Sequence, residues 1–555
     1  MTVRRDRAGL RALLLYAAIA FLAFGIGALT RPGSRYVGIG ADPESFIWLF
    51  AWWPHAILHW TNPFVTHAVW SPSGVNLGWT ALLPGLALLF APLTLAAGPV
   101  ISYSIAAVLM PALTAWAGFL LCRHLTRQFW PSLVGGYLFG FSSYVLGQEL
   151  GHMQLTAAFA IPLAALVVLQ YVEDELSAWA LVVRLGPLLA LQVLISTEVA
   201  FTLTLALACS LAVAFAVVPA SRPRLVTSIV PLLGAYALAA VLTAPFDYYL
   251  LTGISGKAIH PAAAFNADLL NFVVPTRLTL VGRGWADSIA QHFPGNISEQ
   301  GAYVGVPALV IIALFTWRQW RTPGARFLVV SFLLAVIATL GFELVVYGHD
   351  VVALPWEHVG YRPLFRNVLP VRLSLFVSLA VAAMVSLWAA SQEGAVRWVL
   401  PALAIVATLP YPGLDTWSRP YAVPPFFTDG AYQRCLAPGE TILPLPVNAA
   451  GDADLWQAVS DFRFAMAGGY LTEGPPAGFV TSNAVKWVAV GNPVRAAQAQ
   501  LLRDYIRDKH VTAVVVDPSQ ARYWEAALDR IATRRAVGGV LLYRITGLTS
   551  GCPKR

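Results

Sequence analysis

Charge is what this chain has least of. Asp, Glu, Lys and Arg supply 12% of its 555 residues, while 58% are hydrophobic. Soluble domains carry about 25% charged and about 45–50% apolar residues. With a mean hydropathy of +0.66, the chain reads as a polytopic membrane protein, and a single small soluble domain is excluded. Cysteine is scarce too. Cys122, Cys209, Cys435 and Cys552 form no CxxC or Cys/His spacing, so nothing suggests zinc. Cys122 and Cys209 lie in apolar runs and read as packing residues. Cys435 and Cys552 fall in the C-terminal part and could pair in a disulfide if that part faces an oxidising compartment. Also missing are a P-loop, a GxGxxG after a strand, an HExxH and a GxSxG. Soluble nucleotide chemistry and an ATP-driven module are therefore not expected here, and no nucleotide cofactor is expected. No repeat and no low-complexity tract is present.

What the chain does have is a succession of apolar runs. The first covers about 10–30. Its start, MTVRRDRAGLRALLLYAAIAF, has the charge of a signal peptide but no clear cleavage site, so it reads as a retained span. Further runs lie near 80–98, 99–122, 131–147, 154–172, 180–197, 199–219, 225–245, 302–318, 326–346, 371–390 and 397–410. The net charge of +8 is assigned to loops on the cytoplasmic side and not to nucleic acid. The basic clusters are RRDRAGLR at the start, RHLTR at 123–127, SRPR at 221–224 and WRQWRTPGAR at 317–326. They fall on one side only if 80–98 is a re-entrant or other non-crossing segment, and Pro84 and Pro92 already break that run. This gives about eleven crossings, with a cytoplasmic N-terminus and an extracytoplasmic C-terminal part.

The outer face then receives loops 31–79, 246–300 and 347–370, the turns GQELGH at 147–152 and STE at 196–198, and the region from 411. In SFIWLFAWWPHAILHW, Trp48, Trp52, Trp53, Ile57 and Trp60 recur at near-helical spacing. This predicts an interfacial helix with its rings at headgroup depth. Residues 411–555 read as a small α/β domain. TILPLPV, TAVVVDP and VLLYRI are its strands, and AAQAQLLRDYIRDKH and SQARYWEAALDRIATRR its helices. Residues 1–410 form the transmembrane part.

Ionisable residues beside apolar spans are functional candidates, because desolvation there is costly. Asp42 stands where the chain leaves the first span, with Glu44 close by. Asp42-Pro43 also fits an N-cap followed by Pro at the first helical position. Glu149 and His152 occupy one outer turn; His152 could orient a phosphate or a sugar hydroxyl, or simply bond backbone. Glu198 is isolated between apolar runs and needs a partner, such as an Arg from another outer loop. Lys257, Arg277, Arg283, Arg362, Arg366 and Arg372 lie in outer segments, against the topological bias, and their charge suits a lipid phosphate or diphosphate. Glu299 and Tyr303, in GNISEQGAYVG, are candidate sugar contacts. Asn296-Ile297-Ser298 matches a glycosylation acceptor, a triplet common by chance.

These features resemble the GT-C superfamily of integral membrane glycosyltransferases. The likeness rests on Gly40-Ala41-Asp42 after the first span, the helix that follows, and the turn Arg123-His124-Leu125. The outer turn with His152 and the long loop 246–300 also fit. RPLFRNVLPVRL, ILPLPV and FRFAMAGGY resemble a bacterial branch of it. The resemblance covers roughly 1–410 as architecture, and its motifs are short. It implies a polyprenyl-phosphate-linked sugar donor and a lipid or glycan acceptor. Transfer would occur with inversion on the outer face of the bacterial cytoplasmic membrane, in glycan biosynthesis for the cell envelope. Asp42 would be the general base, and Arg cations would meet the leaving phosphate. Many relatives carry a second acid in the outer turn, where Glu149 or His152 stands here. Some bind a divalent metal such as Mg or Mn through these acids, for which Asp42, Glu44 and Glu149 are the candidates. Two other readings remain: a transporter or flippase of a lipid-linked glycan, and a glycan polymerase or ligase using a lipid-diphosphate donor. A transporter calls for broken spans in matching halves and polar residues at the midplane. Here the polar residues gather on one face.

Overall fold

The computed structural model describes residues 7–80, 83–253, 260–471, 474–476, 478–546 and 552; Lys257 lies outside them. The chain forms two compact units. One comprises Met1–Thr30, Ile105–Ala244 and Ser255–Ser418, the other Arg31–Ser104, Pro245–Ile254 and Arg419–Arg555.

The first unit is a helical bundle. Among the described residues of the chain, eight helices are long and apolar enough to cross a membrane: Arg7–Leu29, Pro99–Thr126, Met153–Val172, Ala178–Ile195, Thr197–Val217, Pro219–Gly253, Pro323–Leu340 and Pro370–Ser391. Two shorter apolar helices, Val306–Gln319 and Val396–Ala407, accompany them. At about 1.5 Å per residue these two fall short of the ~30 Å hydrocarbon core. The run 131–147 is split into Phe129–Gly140 and Ser143–Gln148, the second capped by Ser142. The run 326–346 also ends early. Its helix stops at Leu340, Gly341 turns the chain at φ +81°, and Glu343–Val346 pairs antiparallel with His349–Ala353.

The turns that carry the three internal basic clusters, at 123–127, 221–224 and 317–326, are bonded into one end of this bundle. His124 Nε2 lies 2.7 Å from Glu173 Oε2, and Arg127 Nη2 lies 3.2 Å from Glu175 Oε1. Arg224 pairs with Asp174. Gln128 donates to the Ala390 carbonyl at 3.2 Å and accepts from Arg397 at 3.0 Å, and Arg318 donates to Gln392. Trp130, Trp179, Trp317 and Trp398 are exposed beside these same turns, as an aromatic belt requires. Glu198 opens Thr197–Val217 at the opposite end, about 30 Å away at ~1.5 Å per residue.

The second unit is built around the helix Asp42–Leu58 and a five-stranded sheet. The strand order is Arg534–Val537, Val540–Arg544, Ala513–Val516, Thr441–Leu445, Ala465–Met466. Thr441–Leu445 runs parallel to both of its neighbours, and the other pairings are antiparallel. Val, Ile and Leu facing a buried layer explain the three strands legible as TILPLPV, TAVVVDP and VLLYRI. SQARYWEAALDRIATRR does not form the expected single helix. It makes a 3₁₀ stretch Pro518–Tyr523, the turn Glu525–Leu528 and then the edge strand from Arg534. Cys435 and Cys552 are joined by a disulfide. The run 80–98 contains two helices, Pro84–Leu89 and Ala91–Ala97, of six and seven residues, each only ~10 Å long.

The aromatic face of Asp42–Leu58 departs from expectation. Trp48, Trp52 and Trp53 are buried inside this unit, not laid out at headgroup depth. Trp48 donates to Gln457 Oε1 at 2.6 Å, and Phe462 packs edge-on against Trp48 and Trp52. Trp60 alone of the series is fully open, at 96% exposure.

Candidate functional site

In the bundle, four segments distant in sequence meet through polar side chains. Arg372 sits in the 3₁₀ turn Pro370–Leu373 that leads into Ser374–Ser391. Its Nε and Nη2 reach Glu299 at 3.0 and 2.6 Å, and its Nη1 reaches Glu198 Oε2 at 2.5 Å. Glu198 lies in the first turn of its helix, whose N-cap Ser196 accepts from Val199 N–H. Glu299 ends a 3₁₀ turn capped by Asn296, whose side chain accepts from Ser298 N–H at 2.9 Å.

Gln148 extends this group to His152. Its Nε2 donates to the Ser298 carbonyl at 3.0 Å and to Glu299 Oε2 at 3.2 Å. Two acceptors on that side fix the amide orientation, so Oε1 faces His152 Nδ1, at 2.8 Å. A carbonyl oxygen only accepts, so His152 Nδ1 carries a proton and donates it to Gln148.

The charges are unequal: one guanidinium lies between two carboxylates. Burial alone would push the Glu299 carboxyl up. The Arg372 charge and its hydrogen bonds oppose this and hold it below its ordinary value. Glu149, next to Gln148, is different. Both its oxygens are buried without a hydrogen bond, and burial pushes its carboxyl well above the carboxylate range.

The remaining bundle candidates are dispersed. Tyr303 is buried, Arg366 is half-buried, and Arg277 and Arg362 are exposed. Arg283 stacks 3.4 Å from the Tyr411 ring centroid. Arg372, expected to meet a phosphate, already serves two carboxylates.

Asp42 and Glu44 belong to the other unit. Gly40 adopts φ +82°, open to glycine at no steric cost, and the helix starts directly after it. Ala41, not Asp42, is the N-cap, and Asp42 is the first helical residue. Asp42 therefore stands in the first turn of the helix, where the dipole favours negative charge. Glu44 is buried at 3% exposure. Tyr36 donates to its Oε1 at 2.8 Å, and Arg419 Nη1 lies 3.4 Å from the same atom. Arg419 also donates to the Gly40 carbonyl at 2.9 Å and pairs with Asp452 at 3.0 Å. Burial first, and the Asp452 charge second, push the Glu44 carboxyl up to about 9. A carboxyl held neutral is a poor cation ligand, so Glu44 is scaffold for the Gly40–Asp42 turn.

Sequence reasoning missed Gln148, Arg419 and Asp452. None stands out locally, since Gln148 is uncharged and the other two lie in the mixed-charge C-terminal region. Among the described residues, the group of three acidic or His side chains whose ligand atoms lie within 4.8 Å of one another is His124, Glu173 and Glu175, at the basic end.

Residues 13–409 match the family described as Domain of unknown function (DUF6311). The chain belongs to the DUF6311 family. No curated protein matches it by sequence. Solved structures do match by fold. The apo oligosaccharyltransferase of Archaeoglobus fulgidus aligns with TM-score 0.55 at 13% identity, over 95% of this chain and 72% of that one. The archaeal oligosaccharyltransferase AglB from the same organism, in complex with an inhibitory peptide and a dolichol-phosphate, aligns with TM-score 0.52 at 12% identity, over 98% and 74%. The arabinofuranosyltransferase AftD from Mycobacteria aligns with TM-score 0.54 at 15% identity, over 98% of this chain and 42% of that one. The chain thus shares its fold with these oligosaccharyltransferase and arabinofuranosyltransferase structures.

Proposed function

We propose that this DUF6311 protein is a membrane glycosyltransferase. It moves a sugar from a polyprenyl-phosphate-linked donor to a lipid or glycan acceptor at the outer face of the bacterial cytoplasmic membrane. The observation that carries this reading is the fold shared over 95% of the chain with an oligosaccharyltransferase. Its AglB structure with dolichol-phosphate supports a donor of that chemistry. The bonded basic end supports a cytoplasmic placement of those turns, hence a cytoplasmic N-terminus and an extracytoplasmic second unit.

Asp42 is proposed as the general base. Its carboxylate takes the proton of the acceptor hydroxyl, the oxygen attacks the anomeric carbon, and the bond to the donor phosphate breaks on the opposite face, inverting the centre. Arg277, Arg362 and Arg366 are the cations proposed to meet that phosphate. Arg372 instead positions Glu198 and Glu299. Burial pushes the carboxyls of Glu44 and Glu149 up, so neither suits a divalent cation such as Mg or Mn, and no step is routed through one. His152 is proposed to orient the donor phosphate or a sugar hydroxyl.

The test is sugar transfer in reconstituted vesicles from a panel of polyprenyl-phosphate sugars, with Asp42→Asn beside wild type. A general base contributes about 10²–10⁴-fold, and the variant is expected to lose that much. Full activity in the variant would remove Asp42 from the role. A wild type that transfers from no donor would remove the transferase reading.

A further inference from the structure

The basic end of the bundle contains a cavity of about 340 Å³, lined by Leu120, Arg123, His124, Arg127, Leu166 and Gln170. That lies within the range of small-molecule sites, about 300–1,000 Å³. The proposed transfer chemistry makes no use of it.

Its lining has one kind of polarity. Two guanidinium groups, an imidazole and an amide face it, and no carboxylate does. The nearby acids are otherwise engaged: Glu173 meets His124 Nε2 at 2.7 Å and Glu175 meets Arg127 Nη2 at 3.2 Å. Arg123 gives one N–H to the Arg127 carbonyl at 2.9 Å. An Arg fork has five N–H donors, so donors on both groups remain for a ligand. The apolar members sit one helical turn deeper. Leu120 precedes Arg123 and His124 by three and four positions on Pro99–Thr126, and Leu166 precedes Gln170 by four on Met153–Val172. Trp130 and Trp179, exposed at the adjoining helix starts, mark headgroup depth. The polarity therefore grades from cationic at the helix ends to apolar toward the bilayer, as a phospholipid grades from phosphate to acyl chain.

We propose that this cavity is a binding site for a phosphate group, with Arg123 and Arg127 contacting its oxygens. Leu120 and Leu166 favour its presentation as an anionic phospholipid headgroup over free phosphate. An Arg guanidinium pairs two phosphate oxygens through parallel N–H bonds, and basic pockets between spans on the cytoplasmic side suit anionic headgroups.

The test uses the full-length chain, delipidated in detergent and titrated separately with phosphatidylglycerol, phosphatidylcholine and inorganic phosphate. Binding is read by native mass spectrometry and by thermal shift. Wild type is expected to prefer phosphatidylglycerol to phosphatidylcholine by about tenfold or more, since each surface Arg adds a several-fold preference for anionic lipid. The double variant Arg123→Gln/Arg127→Gln should lose that preference. Because it also breaks the Arg127–Glu175 pair, Leu166→Trp is the second variant. It leaves every ion pair in place, fills the apolar end, and should weaken phosphatidylglycerol binding while sparing inorganic phosphate. Inorganic phosphate that binds wild type as tightly as the lipid, and is lost in the double variant, would assign the site to free phosphate. Equal binding of the two lipids without phosphate binding, or a preference that survives both variants, would overturn the proposal.

Discussion

Gln148 accepts a hydrogen bond from His152 Nδ1 at 2.8 Å, and that bond sets the orientation of the ring. The amide cannot rotate to donate instead without losing both Ser298 and Glu299. The His152 ring is therefore tied to the Arg372 group through one neutral side chain.

This link predicts a graded effect at Gln148. Gln148→Leu removes both ends of the bridge, and Gln148→Glu keeps an acceptor for His152 while placing a negative charge against Glu299. A misplacement of about 1 Å at a substrate-positioning residue can cost about 10²-fold in rate. Gln148→Leu is expected to lower transfer by about that factor, with little change in thermal midpoint. Gln148→Glu should retain more activity at low pH than at high pH. A Gln148→Leu enzyme with wild-type kinetics would show that His152 is not positioned by this bond.

Arg372 supports a prediction about stability. Removing one member of a buried charged group leaves the others uncompensated, at about 3–5 kcal/mol. Arg372→Met strands two carboxylates and should lower the thermal midpoint most. Adding Glu198→Gln and Glu299→Gln to it should restore much of the loss, because the three act as a unit. Equal destabilisation of the single and triple variants would mean the group contributes only packing.

These relationships differ in how far the sequence discloses them. An isolated Glu198 between apolar runs announces that it needs a cation, because the desolvation cost is set by the neighbouring residues. Which of Arg362, Arg366 and Arg372 supplies it depends on where residues 362–373 fold back, and no local pattern encodes that. Trp48, Trp52 and Trp53 show the opposite problem. A helical aromatic stripe has the same periodicity whether it faces headgroups or protein, and here Gln457 and Phe462, some 400 residues later, provide the protein. The same ambiguity hid the strand Glu343–Val346 within an apolar run, where length alone suggested a continued span. The β-branched runs 512–516 and 540–545 were legible because short apolar stretches bounded by turn residues have few other solutions.

The Glu44 carboxyl makes stability depend on pH. Its pKa rises from 4.5 to about 9 on folding, so the folded protein holds a proton that the unfolded chain releases between those values. Its contribution is fully present below pH 4.5 and falls as pH rises toward about 9. Asp454, pushed by burial up to about 7, acts in the same direction over a narrower window. Glu44→Gln keeps a neutral polar group opposite Tyr36 and has no proton to lose. Its thermal midpoint should decline less than that of wild type between pH 6 and pH 9. Parallel declines would show that Glu44 is not the titrating group.

The Cys435–Cys552 disulfide joins two reports in one experiment, on stability and on compartment. It bridges positions 117 apart in the chain. Closing a loop of roughly 100 residues removes about 4.7 kcal/mol of unfolded-state entropy in the chain-entropy account. Reductant should therefore lower the midpoint of the wild type, while Cys435→Ser/Cys552→Ser starts at the lower value and does not respond to reductant. The bond also persists only in an oxidising compartment. Cells lysed into a thiol-alkylating reagent should yield protein with Cys435 and Cys552 unmodified until reduction, if the second unit is extracytoplasmic. Recovery of both as alkylated thiols would place that unit on the reducing side. It would then reverse the proposed orientation and, with it, the face on which Asp42 could meet its donor.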